Sequence, residues 1–225
     1  MSNCIVKHTR LRLPQRNADV FDSYINANYV NTSTSQNDEL FIATQGPLPQ
    51  TIENFWRMIW QEKVQLIVML TCVKEGGKVK CDQYFPTQIE ESFSFEFSIT
   101  QVTLISVESV MPNLIKRKLK LRNLDGAERM VVQLQYTTWP DHGAPDESDN
   151  KIISKILDFM REYHGRSKAN NGENKIVVHC SAGIGRSGTI IAIYNIQIAL
   201  EALYKHKVLL VASGQYDTLD GNSFF

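Results

Sequence analysis

From position 52 the chain sets Ile52, Phe55, Trp56, Ile59 and Trp60 at intervals of three and four, the spacing that gathers side chains on one face of a helix. The apolar run from Leu66 to Leu70 then reads as a buried strand, so a helix feeds a sheet. Beyond it the period changes to two. In SFSFEFSIT, Phe93, Phe95, Phe97 and Ile99 alternate with smaller or polar residues, and KLKLRNLDGAERMVVQLQY holds two alternating runs about the turn signal Asp125-Gly126. These segments predict antiparallel strands in the middle of the chain, the last two joined as a hairpin. In the basic run KRKLKLR at 116–122, Leu119 and Leu121 alternate with Lys118, Lys120 and Arg122, which favours a solvated strand face over an anion-binding patch.

Helical spacing returns with Ile152, Ile153, Ile156, Leu157, Met160 and Tyr163, and GRSKANNGEN at 165–174 predicts a polar surface loop after that helix. IVV at 176–178 leads into HCSAGIGRSGT, and IIAIYNIQIALEAL predicts a third, strongly apolar helix. VLLVA at 208–212 is a candidate strand. Helices and strands in mixed order, without an internal repeat, predict a single α/β domain: a central twisted mixed β-sheet flanked by helices, with an anion-binding loop between a strand and a helix. The 225 residues suffice for one core that buries roughly 70% of the unfolded surface.

Charge and cysteine usage narrow the function. The 24 basic residues cancel the 24 acidic ones, so nothing global steers the chain towards nucleic acid or an anionic membrane. Cys4, Cys72, Cys81 and Cys180 form no C-x-x-C pair, which argues against a zinc site and a disulfide framework and for a reducing compartment. The opening MSNCIVKHTRLRLPQ has no apolar core, and the longest apolar runs are short. The expectation is a cytoplasmic chain with neither secretion signal nor membrane span.

Two chemistries compete for residues 177–189. Gly183, Gly185 and Gly188 spell the G-x-G-x-x-G of dinucleotide-binding loops. That fingerprint also needs an acidic residue at the end of the next strand, and Ser213-Gly214 follow VLLVA instead. A strand entering a helix N-terminus leaves backbone N–H groups that glycines let converge on an anion, which fits either reading. Cys180 separates them. Phosphoryl transfer through a covalent intermediate requires such a nucleophile, and Arg186 offers a planar fork for two phosphate oxygens. The same field favours the thiolate form of a cysteine placed there. A phosphate ester also needs a proton for its departing oxygen. In YTTWPDHGAPD, Asp141 follows the aromatic Trp139 and rigid Pro140 and precedes Gly143, a candidate hinge.

HCSAGIGRSGT and WPDHG resemble the signature loop and acid loop of the phosphotyrosine-specific protein tyrosine phosphatases. DSYINANYV, FIATQGPLPQTIENFWRMIW and KEGGKVKCDQYFP are similar to further segments of that family, in its order. The resemblance covers residues 8–203. It implies that Cys180 is the nucleophile and becomes phosphocysteine, and that Arg186 with the N–H groups of Ser181, Ala182, Gly183, Ile184, Gly185 and Arg186 binds the phosphoryl oxygens. It further implies Asp141 as general acid and then base towards water, Ser187 as assistant to thiolate departure, and His179 as support for the cysteine. Trp139 and Pro140 would belong to a loop that closes over substrate, and Glu75 with Lys80 to a loop that braces it. No metal or other cofactor is implied, and the partners are phosphotyrosine-containing proteins rather than nucleic acid.

The segment before His8 does not resemble the family's tyrosine-bearing loop, and KHKVLLVASGQYDTLDGNSFF does not resemble its glutamine-bearing, water-positioning loop. The expectation is therefore a partial catalytic domain at 8–203 followed by a divergent segment at 204–225. Its function would be phosphotyrosine hydrolysis, with a phosphotyrosine-binding or substrate-trapping module as the alternative.

Overall fold

The helix expected from position 52 is α1, Ile52–Gln61, entered through a 3-10 turn at Pro49–Thr51 whose Leu48 N–H donates to the Thr51 hydroxyl at 2.9 Å. Its apolar face carries Phe55, Trp56, Met58 and Ile59, all buried, and the Trp56 indole N–H donates to the Tyr84 carbonyl at 2.9 Å. A computed structural model describes residues 8–16, 23–32, 39–96, 99–140, 143–170 and 174–212.

The strands are β1 Ala27–Val30, β2 Phe41–Thr44, β3 Leu66–Met69, β4 Lys74–Glu75, β5 Lys78–Val79, β6 Ser92–Ser94, β7 Ile99–Met111, β8 Leu114–Asn123, β9 Glu128–Tyr136 and β10 Ile176–His179. Eight form one sheet in the order β1-β2-β10-β3-β9-β8-β7-β6, and β4 pairs with β5 as a separate small hairpin. The centre, β2-β10-β3-β9, is parallel and its flanks are antiparallel, so the sheet is mixed as expected. Alternation sends Ile67, Met69 and Val177 into a core under α1. Leu66, Val68, Ile176, Val178 and Cys180 point the other way, into a second core beneath α2, Asn150–Ala169, and α3, Gly185–Ala212. Because β3 and β10 are covered on both faces, all their residues are buried, which is why LIVM and IVV read as unbroken apolar runs.

Four expectations need correction. SFSFEFSIT is not one strand: Phe95 N–H donates to the Thr100 carbonyl at 3.0 Å, and the chain reverses between β6 and β7. Phe97 lies outside the described residues. In 116–122, Lys118 and Arg122 are exposed as predicted, but Arg117 shares the face of Leu119 and Leu121. It donates to Gln133 Oε1 at 3.0 Å and Gln135 Oε1 at 2.9 Å, with its guanidinium 4.5 Å above the Phe85 ring. The polar segment after Tyr163 is helical as far as Ala169, because His164 Nδ1 bonds the Tyr194 hydroxyl at 2.7 Å and Ser167 Oγ donates to the Asn174 carbonyl at 2.6 Å. Buried tertiary bonds here override a weak local propensity; residues 171–173 lie outside the described set. Finally, VLLVA is helical. It extends α3 without a break past position 203, since adding residues to a formed helix is easier than starting a new element. Leu203, Tyr204, Leu209 and Val211 stand exposed on it, yet no described helix is long and apolar enough to cross a membrane.

Candidate active site

Strand β10 delivers the loop at 180–184 into the N-terminus of α3. The strand ends in register with its parallel neighbours, His179 opposite Thr44 of β2 and Met69 of β3. The chain must then turn sharply against the end of β2. Gly183 makes that turn at φ +79°, and a Cβ there would lie 2.3 Å from the Thr44 carbonyl oxygen. From the other side Gly46 N–H donates to the Ser181 carbonyl at 2.9 Å; a Cβ on Gly46 would meet Cys81 Cβ at 2.5 Å and the Cys180 oxygen at 2.7 Å. Two glycines from separate segments thus allow backbone to lie directly on backbone.

Within the loop, Gly183 N–H donates to Cys180 Sγ at 3.2 Å, and the thiol is 5% exposed. Arg186, one residue into α3, turns its guanidinium under the same loop. Nη1 donates to the Leu70 carbonyl at 2.9 Å, and Nη1 and Nη2 each reach one Glu75 carboxylate oxygen at 2.7 Å. Burial pushes the Glu75 carboxyl up, but hydrogen bonds from Arg186, the Thr71 hydroxyl (2.6 Å) and the Cys72 N–H (3.1 Å) outweigh it and hold it below the ordinary carboxylate value. Glu75 therefore anchors the arginine, and with Lys80 it also lies beside the acid-loop stem at Thr137 to Pro140.

His179 is fully buried and lies in a chain of donors. Arg117 can only donate, so Gln133 Oε1 faces it and Gln133 Nε2 donates to the Tyr84 hydroxyl at 2.7 Å. Tyr84 in turn sits 2.8 Å from His179 Nε2, and His179 Nδ1 lies 3.1 Å from the Cys180 carbonyl oxygen. A carbonyl accepts only, so Nδ1 carries the proton and Nε2 accepts from Tyr84. Burial lowers the imidazole pKa to about 4, against the pull of the Cys180 carbonyl, so the ring is neutral at physiological pH. His179 fixes the backbone of the cysteine without adding charge.

Cys180, Ser181, Ala182, Gly185 and Arg186 border a cleft of about 630 Å³, faced by Lys80, Trp139, Pro140 and Gly143. Trp139 is buried, and its indole N–H donates to the Gly143 carbonyl at 3.1 Å, closing the stem of the acid segment. Asp141 lies outside the described residues. Gly183 turns away beneath the loop, and Ile184 is half exposed beside it. The Ser187 hydroxyl is buried with no hydrogen-bond partner among the described residues.

Residues 2–213 match the family model described as protein-tyrosine phosphatase. The chain belongs to the protein-tyrosine phosphatase family. It is 43% identical over 183 residues to mouse tyrosine-protein phosphatase non-receptor type 4, covering 80% of this chain and 19% of that protein. Human receptor-type tyrosine-protein phosphatase eta is 41% identical over 181 residues, with 80% and 13% covered, and tyrosine-protein phosphatase 2 of Dictyostelium discoideum is 41% identical over 185, with 82% and 44% covered. The catalytic domain of human protein tyrosine phosphatase non-receptor type 18 superposes with a TM-score of 0.75 at 30% identity, over 88% of this chain and 66% of that one. A structure of the type 18 enzyme in complex with HER2 phosphopeptides superposes at 0.73, 29% identical, over 88% and 64%. The chain thus spans under half the length of these curated relatives and about two thirds of the solved domain.

Phosphatase motifs did not point to Arg117 or Gln133, which stand on β8 and β9 and reach the signature loop through Tyr84 and His179. The one available signal was a tyrosine inside KCDQYFP, and its ordinary value there is that of a core aromatic.

Proposed function

We propose that the chain hydrolyses phosphotyrosine in proteins through a phosphocysteine intermediate, in the cytoplasm and as a step in signalling. The observation that carries this reading is convergence: the sulfur of Cys180, the amides of its loop and the anchored fork of Arg186 meet at one cleft beside Trp139 and Pro140. The catalytic portion is residues 8–203, which hold every motif quoted above, with 204–225 divergent. The relative solved in complex with HER2 phosphopeptides supports the substrate class.

Cys180 attacks phosphorus as the thiolate; the P–S bond forms while the bond to the phenol oxygen breaks, and Asp141 protonates that oxygen. The amides of Ser181 to Arg186 and the guanidinium hold the three equatorial oxygens, supplying the charge that a metal ion supplies in other phosphoryl transfers. In the second step water attacks phosphorus as Asp141 takes its proton; the new P–O bond forms while the P–S bond breaks, inorganic phosphate leaves, and the Ser187 hydroxyl, buried beside the loop, donates to the departing sulfur. His179 contributes through the Cys180 carbonyl.

Hydrolysis of an aryl phosphate by the purified chain, with and without chelator, tests the reading. Turnover should survive chelation, vanish in Cys180→Ser, and fall in Asp141→Ala with substrate binding retained. Turnover that persists in Cys180→Ser, or that requires a metal, overturns it. A rapid first turnover followed by a stall replaces hydrolysis with trapping.

A further inference from the structure

Beyond the residues that touch the cleft, a chain of hydrogen bonds connects its two halves. The parallel ladder of β3 and β9 ends at Met69 opposite Gln135. Past that point two side chains prolong it: Gln135 Nε2 donates to the Thr71 carbonyl at 3.1 Å, and Cys72 Sγ–H donates to the Thr137 carbonyl at 3.2 Å. Thr137 is held from its other side by its own N–H, which donates to the Asn113 carbonyl at 3.0 Å. Thr137 stands two residues before Trp139 and Pro140, the part of the stem that lines the cleft. Through its backbone the same cysteine donates to Glu75 Oε1, which grips Arg186.

We propose that Cys72 is a positioning residue, a clasp that ties the Glu75–Arg186 anchor to the stem of the acid loop; this rests on the phosphatase reading above. One residue faces both ways, its N–H towards the phosphate side and its thiol towards the leaving-group side. Burial, then the charge of Glu75, push the thiol pKa up against the opposing pull of Arg186, so the sulfur keeps the proton that the bond to Thr137 needs.

The test uses two aryl phosphates, one releasing a weakly acidic phenol that needs protonation as it leaves and one releasing a strongly acidic nitrophenol that does not. In Cys72→Ala the ratio of kcat on the first to kcat on the second should fall about three- to tenfold, the range of one lost hydrogen bond. Cys72→Ser, whose hydroxyl donates to the same carbonyl, should restore the ratio, and thermal melts of both variants separate this from general destabilisation. An equal loss on both substrates, an unchanged ratio, or no rescue by serine overturns the clasp while leaving the phosphatase reading intact. A wild-type chain that turns over neither substrate removes that reading, and the clasp with it.

Discussion

Replacing Glu75 by glutamine asks whether Arg186 is held by charge or by packing. The two side chains are 17% and 9% exposed, and both arms of the pair measure 2.7 Å. Glutamine keeps the shape and one accepting oxygen but turns an NH₂ towards the other guanidinium arm, leaving a nearly buried cation with a single weak partner there. Removing one member of a buried pair costs about 3 to 5 kcal/mol, and the retained oxygen sets the expectation at the low end, about 3 kcal/mol. For a chain of this length that is a fall in Tm of roughly 6 to 12 °C. The loosened fork should also lower kcat/KM on an aryl phosphate by about 10². The effect has a pH signature. The carboxyl is held below its ordinary value of 4.5 in the folded state, so its contribution is full above that value and is lost as pH falls through the folded one. Wild type and variant should therefore differ by a constant amount at neutral pH and converge in acid. Calorimetry across that range, with steady-state kinetics at neutral pH, provides the measurement. A variant that melts with the wild type and keeps its kcat/KM refutes the anchor, and with it the role given to Glu75.

The neutral, buried His179 carries the same sign for a different reason. Its pKa drops from 6.5 unfolded to about 4 folded, so stability present above pH 6.5 should decline as pH falls towards 4, by up to about 3 kcal/mol, in urea titrations. His179→Asn should flatten that decline; an unchanged slope would assign it elsewhere. In Gly183→Ala the left-handed backbone alone costs about 1 to 2 kcal/mol, and the Cβ 2.3 Å from the Thr44 oxygen must displace the loop. Calorimetric titration with vanadate should show binding lost while the fold persists, and wild-type affinity would contradict the geometry. Tyr84→Phe strands His179 Nε2 and leaves Gln133 Nε2 with only the weak Met69 sulfur acceptor in the core. A loss of about 1 to 3 kcal/mol in denaturant melts is expected, and no loss would mean that water replaces the hydroxyl.

Much of the site was legible because its chemistry is local. Cys180, the loop glycines and Arg186 fall within one short segment, and strand, loop and helix follow in chain order. What escaped was long-range or two-sided. The alternation at 116–122 correctly placed Leu119 and Leu121 inside, but parity puts Arg117 on that same face, where it starts the donor chain that ends at the Cys180 carbonyl. Periodicity assigns faces; it does not reveal that a half-buried cation will find an amide. Gly165 and its polar neighbours read as loop because propensity weighs residues singly, whereas His164 and Ser167 are held by partners 30 and 7 positions away. VLLVA, too short to show a period, took its conformation from the helix already running into it. Glu75 was singled out by resemblance, but its partner Arg186 stands 111 positions on, beyond any pattern in the chain.

The contacts of Gly183 with Thr44 and of Gly46 with Ser181 make the anion cradle an object of two chain segments, only one of which bears the chemistry. Residues 179–189 cut out as a peptide, or grafted after a strand of another sheet, would carry the reactive groups without the mould that shapes them. Drift in the two segments is correspondingly coupled: a bulkier residue at either glycine is tolerated only if the facing backbone retreats in the same lineage.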